Sequence, residues 1–253
     1  MNKAYVKILV IICVICLWQA TYFIQGFHNN LIPSPIVLIK SFYDVISSGE
    51  LNEHILASLD RVLVGFFVAS ILGIFLGLLF GYSKVMGLIA EPLIEILRPI
   101  PPIAWIPIAI LLFGLGNNSS YFIVFLGAFF PIFTNTLFGV TQLPKKFKNI
   151  SRTLELGKVS FFNDVLLKFS MPYIFVGLRI GIGMAWMSVI AAELIGAQSG
   201  LGYFIQINRL LLNTDKIVVG MIVIGIVGYL LSKLILFLGH SLMPYKGDSN
   251  VEM

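Results

Sequence analysis

Charge is what this chain lacks most. Asp, Glu, Lys and Arg make up 11% of its 253 residues, where soluble domains carry about 25%, and hydrophobic residues make up 58%. With a mean hydropathy of +0.96, these proportions exclude a soluble domain and define an integral membrane protein. Catalytic material is equally thin. His28, His54 and His240 are widely separated, no H-E-x-x-H pair occurs, and no carboxylate cluster falls inside an apolar run, which removes the usual metal-hydrolase centres. The Gly-Lys pair at Gly157 and Lys158 is followed by Val159 and has no phosphate-cradling glycine loop before it, so the chain does not hydrolyse ATP by itself. The two cysteines, Cys13 and Cys16, lie in the first apolar run and read as buried thiols, not as a disulfide or metal pair. No cofactor is expected on this chain.

What is present is a succession of apolar segments, near residues 5–25, 60–82, 98–115, 120–141, 172–195 and 217–240. Each is near the ~20 residues needed to cross about 30 Å of hydrocarbon. The pattern predicts an all-α membrane protein of about six transmembrane helices, forming a single polytopic domain over 1–253 with its core at about 55–240. The first run continues past Trp18 to Ile24 without a small-x-small cleavage site and reads as a retained helix, not a signal peptide. The net charge of +5 is read by position, which removes nucleic acid as a partner and leaves membrane lipid. With a cytoplasmic N-terminus, the loops on that side collect Lys84, Lys145, Lys146, Lys148, Arg152, Lys158, Lys168 and Lys246. The opposite loops hold Lys40, Arg209 and Lys216, with Arg61 at a boundary. This bias predicts both termini in the cytoplasm.

Gly73, Gly77 and Gly81 recur every four residues in the second segment, and Gly177 and Gly181 in the fifth, a spacing that lets helix backbones approach closely. Pro99, Pro101, Pro102 and Pro107 deny a regular helix at the start of the third, which is expected to be irregular there and shielded by protein. Residues 27–60 are too polar to span and read either as an external cap or as helices lying along the membrane surface. In the basic stretch 145–172, Ile150 and Leu154 form one apolar turn, while Phe161, Phe162, Val165, Leu166 and Phe169 recur at helical spacing beyond Gly157. That predicts two short amphipathic helices joined at a bend, either a docking surface or a solvated loop that sets orientation. Arg179, Trp186 and Glu193 are spaced by seven and drift only about 20° per step along one stripe of ~21 Å. They form either a stripe on a translocation path or dimer seam, or two end anchors with a packed tryptophan between.

Several stretches together, "LRPIPPIAWIPIAILLFGLG", "SRTL", "MPYIFVGLRIGIGMAW" and "AAELIGAQSGLGYFI", resemble the inner-membrane permeases of ABC importers. They are similar to the branch carrying sulfonates, taurine, nitrate and some pyrimidine precursors. The resemblance covers about residues 30 to 240. It implies a bacterial cytoplasmic-membrane permease of the type I importer fold that works by alternating access. Its implied partners are a cytoplasmic ATP-binding subunit, which holds the ATP, an external substrate-binding protein that carries most of the selectivity, and a second permease copy. A small organic anion such as an alkyl sulfonate is the first cargo it suggests. The family's cytoplasmic loop, E-A-A-x-x-x-G followed at a distance by proline, docks on the ATPase. Carried over, the docking loop is Ile150, Ser151, Arg152, Thr153, Leu154, Glu155, Leu156 and Gly157. Counting back from Pro172, the glycine position falls on Glu155, and Asn149, Ile150 and Ser151 stand in place of E-A-A. Either the bend has moved to Gly157 or the loop docks with altered geometry. The rival class is a gradient-driven secondary transporter or channel, which would need no ATPase.

Overall fold

Periodic apolar sequence becomes helix throughout the computed structural model, which describes residues 13, 16–20 and 33–242. Most of the first apolar run, 5–25, lies outside the described residues. Of its two cysteines, expected to be buried, both are exposed and free. In chain order the helices are α1 (Pro35–Ser47), α2 (Glu50–Tyr82), α3 (Lys84–Leu97), α4 (Ile106–Phe113), α5 (Asn117–Thr141), α6 (Lys145–Thr153), α7 (Lys158–Gly196), α8 (Leu201–Leu210) and α9 (Thr214–Leu242). A 3₁₀ turn, Pro102–Trp105, precedes α4. Among the described residues, α2, α5, α7 and α9 are long and apolar enough to cross a bilayer.

The third apolar segment is not a span by itself. α4 has eight residues, about 12 Å of rise. The crossing is completed only by counting α3, which meets it at 84° across the proline-rich break. The break is irregular as its prolines require. Among the described residues the expected shield is incomplete, since Ile103 is 52% exposed.

Glycine sets the architecture. In α2, Gly65, Ala69, Gly73, Gly77 and Gly81 lie four residues apart and form one seam. A Cβ on Gly65, Gly77 or Gly81 would stand 2.6–2.7 Å from Val124, Thr136 or Val140 of α5, and one on Gly73 would meet Ile132 at 3.0 Å. Ile132 is also met from the other side, by Gly177 and Gly181 of α7. The middle helix α5 is thus clamped between α2 and α7 at backbone distance, the packing by which lipid-embedded helices associate. α9 is looser. Its firmest anchor is Trp186 of α7, whose Nε1 donates to Ile224 O at 3.0 Å while its ring fills the space left by Gly228.

Of the polar stretch 27–60, residues 27–32 lie outside the described residues and 33–60 divide between two helices. Residues 50–60 are the first turns of α2. α1 starts at Ser34, whose hydroxyl accepts from Val37 N, has Pro35 in its first turn, and buries Leu38, Ser41 and Val45. It packs on α9 and the start of α2 and leaves Ile36, Ile39 and Tyr43 exposed.

Candidate functional site: the two ends and the open face

Charged and polar groups drawn from several helices converge at one end of the bundle. Arg61 of α2 and Glu193 of α7 pair at 2.8 Å with side chains only 3% and 0% exposed. The guanidinium is used almost completely: Nη1 also donates to Ser199 O, Nη2 to Ser199 Oγ, and Nε to Asn117 Oδ1 at the start of α5. The carboxylate accepts from the Ser58 hydroxyl at 2.8 and 2.9 Å and from Gly202 N at 2.9 Å. Ser58 in turn accepts from Leu201 N, and His54 Nδ1 accepts from Gly200 N. A buried ion pair is tolerated in this manner, with nearly every lone pair and proton satisfied. The network holds the 197–200 turn and the start of α8 against α2. Gly202 is required there, since a Cβ would lie 2.6 Å from Ile190 O. Tyr121 donates to Asp60 at 2.6 Å, and Lys216 meets Glu50 at 3.4 Å, at the same end.

At the opposite end stands the basic stretch. α6 runs Lys145–Thr153 and closes on Leu154, after which Glu155 has φ +50. Glu155 N donates to Arg152 O and Leu156 N to Ser151 O, both at 3.0 Å. These two bonds define a Schellman turn with Glu155 at the left-handed position where glycine is usual. The bend has therefore not moved to Gly157, whose φ is −60 with extended ψ. It stays at the position that counting back from Pro172 assigns to the consensus glycine. The expected second short helix is not separate: residues 158–167, including a wide π turn at Phe161–Leu167, run directly into the span and form one helix of 39 residues. The reason is packing. Phe161, Phe162, Val165, Leu166 and Phe169 join Leu78, Val140, Leu143 and Ile174 in one apolar cluster under the bundle.

The loop residues divide by exposure. Ile150, Leu154 and Leu156 are 53%, 65% and 38% exposed, and Val159 is 73% exposed. Arg152, Thr153, Glu155 and Gly157 also face outward, while Ser151 is buried and donates to Phe147 O. A hydrogen-bonded turn thus presents apolar side chains at the tip of a charged loop.

The α7 stripe is not one environment. Glu193 and Trp186 are buried, whereas Arg179 is exposed, on a face that also presents Val176, Ile180 and Met187. Among the described residues Arg179 has no ion-pair partner. The sequence reading set Arg61 at a boundary and passed over Ser58, Asn117 and Ser199. One signal was available: Arg61 and Glu193 are opposite charges in separate apolar segments, and a buried charge demands a partner.

A clamped bundle of long apolar helices with an apolar-tipped basic loop at one end defines a polytopic membrane protein. Residues 69–244 match the family described as "Binding-protein-dependent transport system inner membrane component", and the chain belongs to that family of ABC importer permeases. A nitrate import permease of Synechocystis is 39% identical over 231 residues, covering 87% of this chain and 83% of that protein. A permease of Bacillus subtilis named for aliphatic sulfonate transport is 32% identical, covering 93% and 85%. A bicarbonate transport permease of Synechococcus elongatus is 35% identical, covering 82% and 79%. Among solved structures, an inward-facing form of the MetNI methionine ABC transporter superposes with a TM-score of 0.65 at 19% identity, over 78% of this chain and 96% of that one, which establishes the shared fold. The chain is a transport permease and not an enzyme. Family membership sets aside the gradient-driven carrier.

Proposed function

We propose that this permease passes a small oxyanion, of the kind for which its nitrate, bicarbonate and sulfonate relatives are named, across the cytoplasmic membrane by alternating access. It works as a pair of permease copies with two ATP-binding subunits, which hold the ATP, and an external binding protein. The Arg61 end faces outward and the α6 loop faces the cytoplasm, in keeping with the lysine distribution. The observation that carries the coupling is the Schellman-capped loop, which holds Ile150 and Leu154 outward where an ATPase groove can receive them.

A second observation supports the pairing of copies. The break at Pro99–Trp105 lies about 12 Å or more from the Arg61 end, at a depth where lipid does not tolerate irregular backbone. Ile103 beside it is exposed on this chain. A second copy or a water-filled path supplies the cover. The same reasoning puts the unpaired Arg179 on that path, where a cation attracts an anionic cargo, while Trp186 and Glu193 hold the walls.

The test is copurification of the cognate ATPase. Leu154→Asp puts a charge into the desolvated contact and weakens association about a hundredfold or more, leaving insertion and folding intact. A variant that retains both the ATPase and substrate-stimulated hydrolysis removes the loop from the coupling path. Orientation has its own measurement. Single cysteines at Ser48 and Gln198, both exposed at the Arg61 end, react with an impermeant thiol reagent in intact cells, and one at Ser160 reacts only after permeabilisation. Labelling of Ser160 from outside reverses the assignment.

A further inference from the structure

Between α6 and the ends of α2 and α5 lies a cavity of about 380 Å³, lined by cations on one side and by apolar groups on the other. Lys148 and Arg152 of α6, one turn apart, and Lys158 at the start of α7 supply three positive charges. Val140, Phe161 and Leu166 supply the apolar wall. Among the described residues no carboxylate lines it. Among the described residues none of the three cations has an ion-pair partner. Lys148, Arg152 and Lys158 are all exposed, and an anion placed among the three relieves the repulsion between their like charges. The cavity also sits where the apolar helices α2 and α5 end, at Tyr82 and Thr141. That places it at the boundary between hydrocarbon and headgroups, and its size is within the ~300–1,000 Å³ range of small-ligand sites.

We propose that this cavity is a binding site for a phosphate group, held by Lys148, Arg152 and Lys158 directly beneath the coupling loop. Two sources share that chemistry: an anionic phospholipid headgroup, whose chain lies along the apolar wall, and free phosphate. Basic pockets between membrane helices on the cytoplasmic side take phospholipid headgroups by the same combination of charge and apolar contact. An occupied site ties α6 to the start of α7 through one anion and stiffens the loop that meets the ATPase. The proposal rests on the cytoplasmic placement of the α6 loop, but its test does not depend on transport or on the ATPase.

The full-length permease, purified in detergent, is presented with equal amounts of phosphatidylglycerol and phosphatidylcholine, and retained lipid is counted by native mass spectrometry. Preferential retention of phosphatidylglycerol is expected, and the double variant Lys148→Gln/Lys158→Gln lowers it about tenfold or more. Arg152 is left in place because it belongs to the docking loop. Lys145→Gln/Lys146→Gln, which removes equal charge outside the cavity lining, retains the lipid. A second arm adds millimolar inorganic phosphate without lipid and follows the unfolding temperature. A rise that the cavity variant abolishes identifies free phosphate as the source, whereas lipid retention unaffected by phosphate identifies the headgroup. Equal retention of both lipids together with no response to phosphate overturns the site. So does equal loss in the two double variants, which reduces the effect to net charge.

Discussion

The two ends of the bundle solve opposite problems with the same kinds of residue. At the Arg61 end, charge is drawn in: a guanidinium and a carboxylate are taken almost wholly out of solvent and saturated by Ser58, Asn117, Ser199 and Gly202. At the α6 end, cations stay exposed and apolar side chains are pushed out. Each end also carries a Schellman turn with a residue other than glycine at its left-handed position, Glu155 (φ +50) at one and Leu212 (φ +58) at the other. The difference teaches which end is self-sufficient. The Arg61 end satisfies its buried ion pair within the chain. The α6 end leaves cations and apolar side chains exposed, and it is this surface that the proposed coupling to an ATPase uses.

The largest expected effect breaks the self-sufficient end. Arg61→Ala strands Glu193 in a buried site and costs about 3–5 kcal/mol of stability, read as the unfolding midpoint of the purified permease in detergent. The paired replacement Arg61→Met/Glu193→Met is less damaging than either single change, because no uncompensated charge remains. Should the pair prove as harmful as the sum of the singles, the network does not act as a unit.

A smaller effect sharpens the α6 end. Glu155→Gly relieves a left-handed conformation that costs an L-residue about 1–2 kcal/mol, so the loop gains stability and the ATPase still copurifies. A loss of stability instead shows that the Glu155 side chain makes a contact worth more than the strain. The smallest effect is expected from Lys145→Gln/Lys146→Gln. Exposed rim charges contribute about 1 kcal/mol or less, and association measured at physiological salt shifts correspondingly little. A large shift there moves the docking surface from the apolar tip to the basic rim.

Some of this was legible in order along the chain. The four-residue glycine rhythm of α2 announced a close seam, because a missing Cβ is a property of the residue itself. The prolines between Arg98 and Pro107 announced an irregular break, because proline removes a donor wherever it stands. Counting back from Pro172 by the family's spacing put the consensus glycine position at Glu155 and left open a bend at Gly157; the left-handed Glu155 decides between them. The joining of residues 158–167 to the long α7 was not legible, since apolar residues at helical spacing fit a short amphipathic helix and the first turns of a span equally well.

By itself, then, the sequence determined the membrane class and the small-residue faces open to close packing, which follow from composition and local spacing, while the position of the loop came from the family resemblance. The tertiary structure alone decided which charges are neutralised and which are left open. Arg61 and Glu193 are separated by more than half the chain, and Lys148, Arg152 and Lys158 share a cavity with the ends of α2 and α5. Coulombic pairing and desolvation depend on distance in space, and local sequence pattern does not encode it.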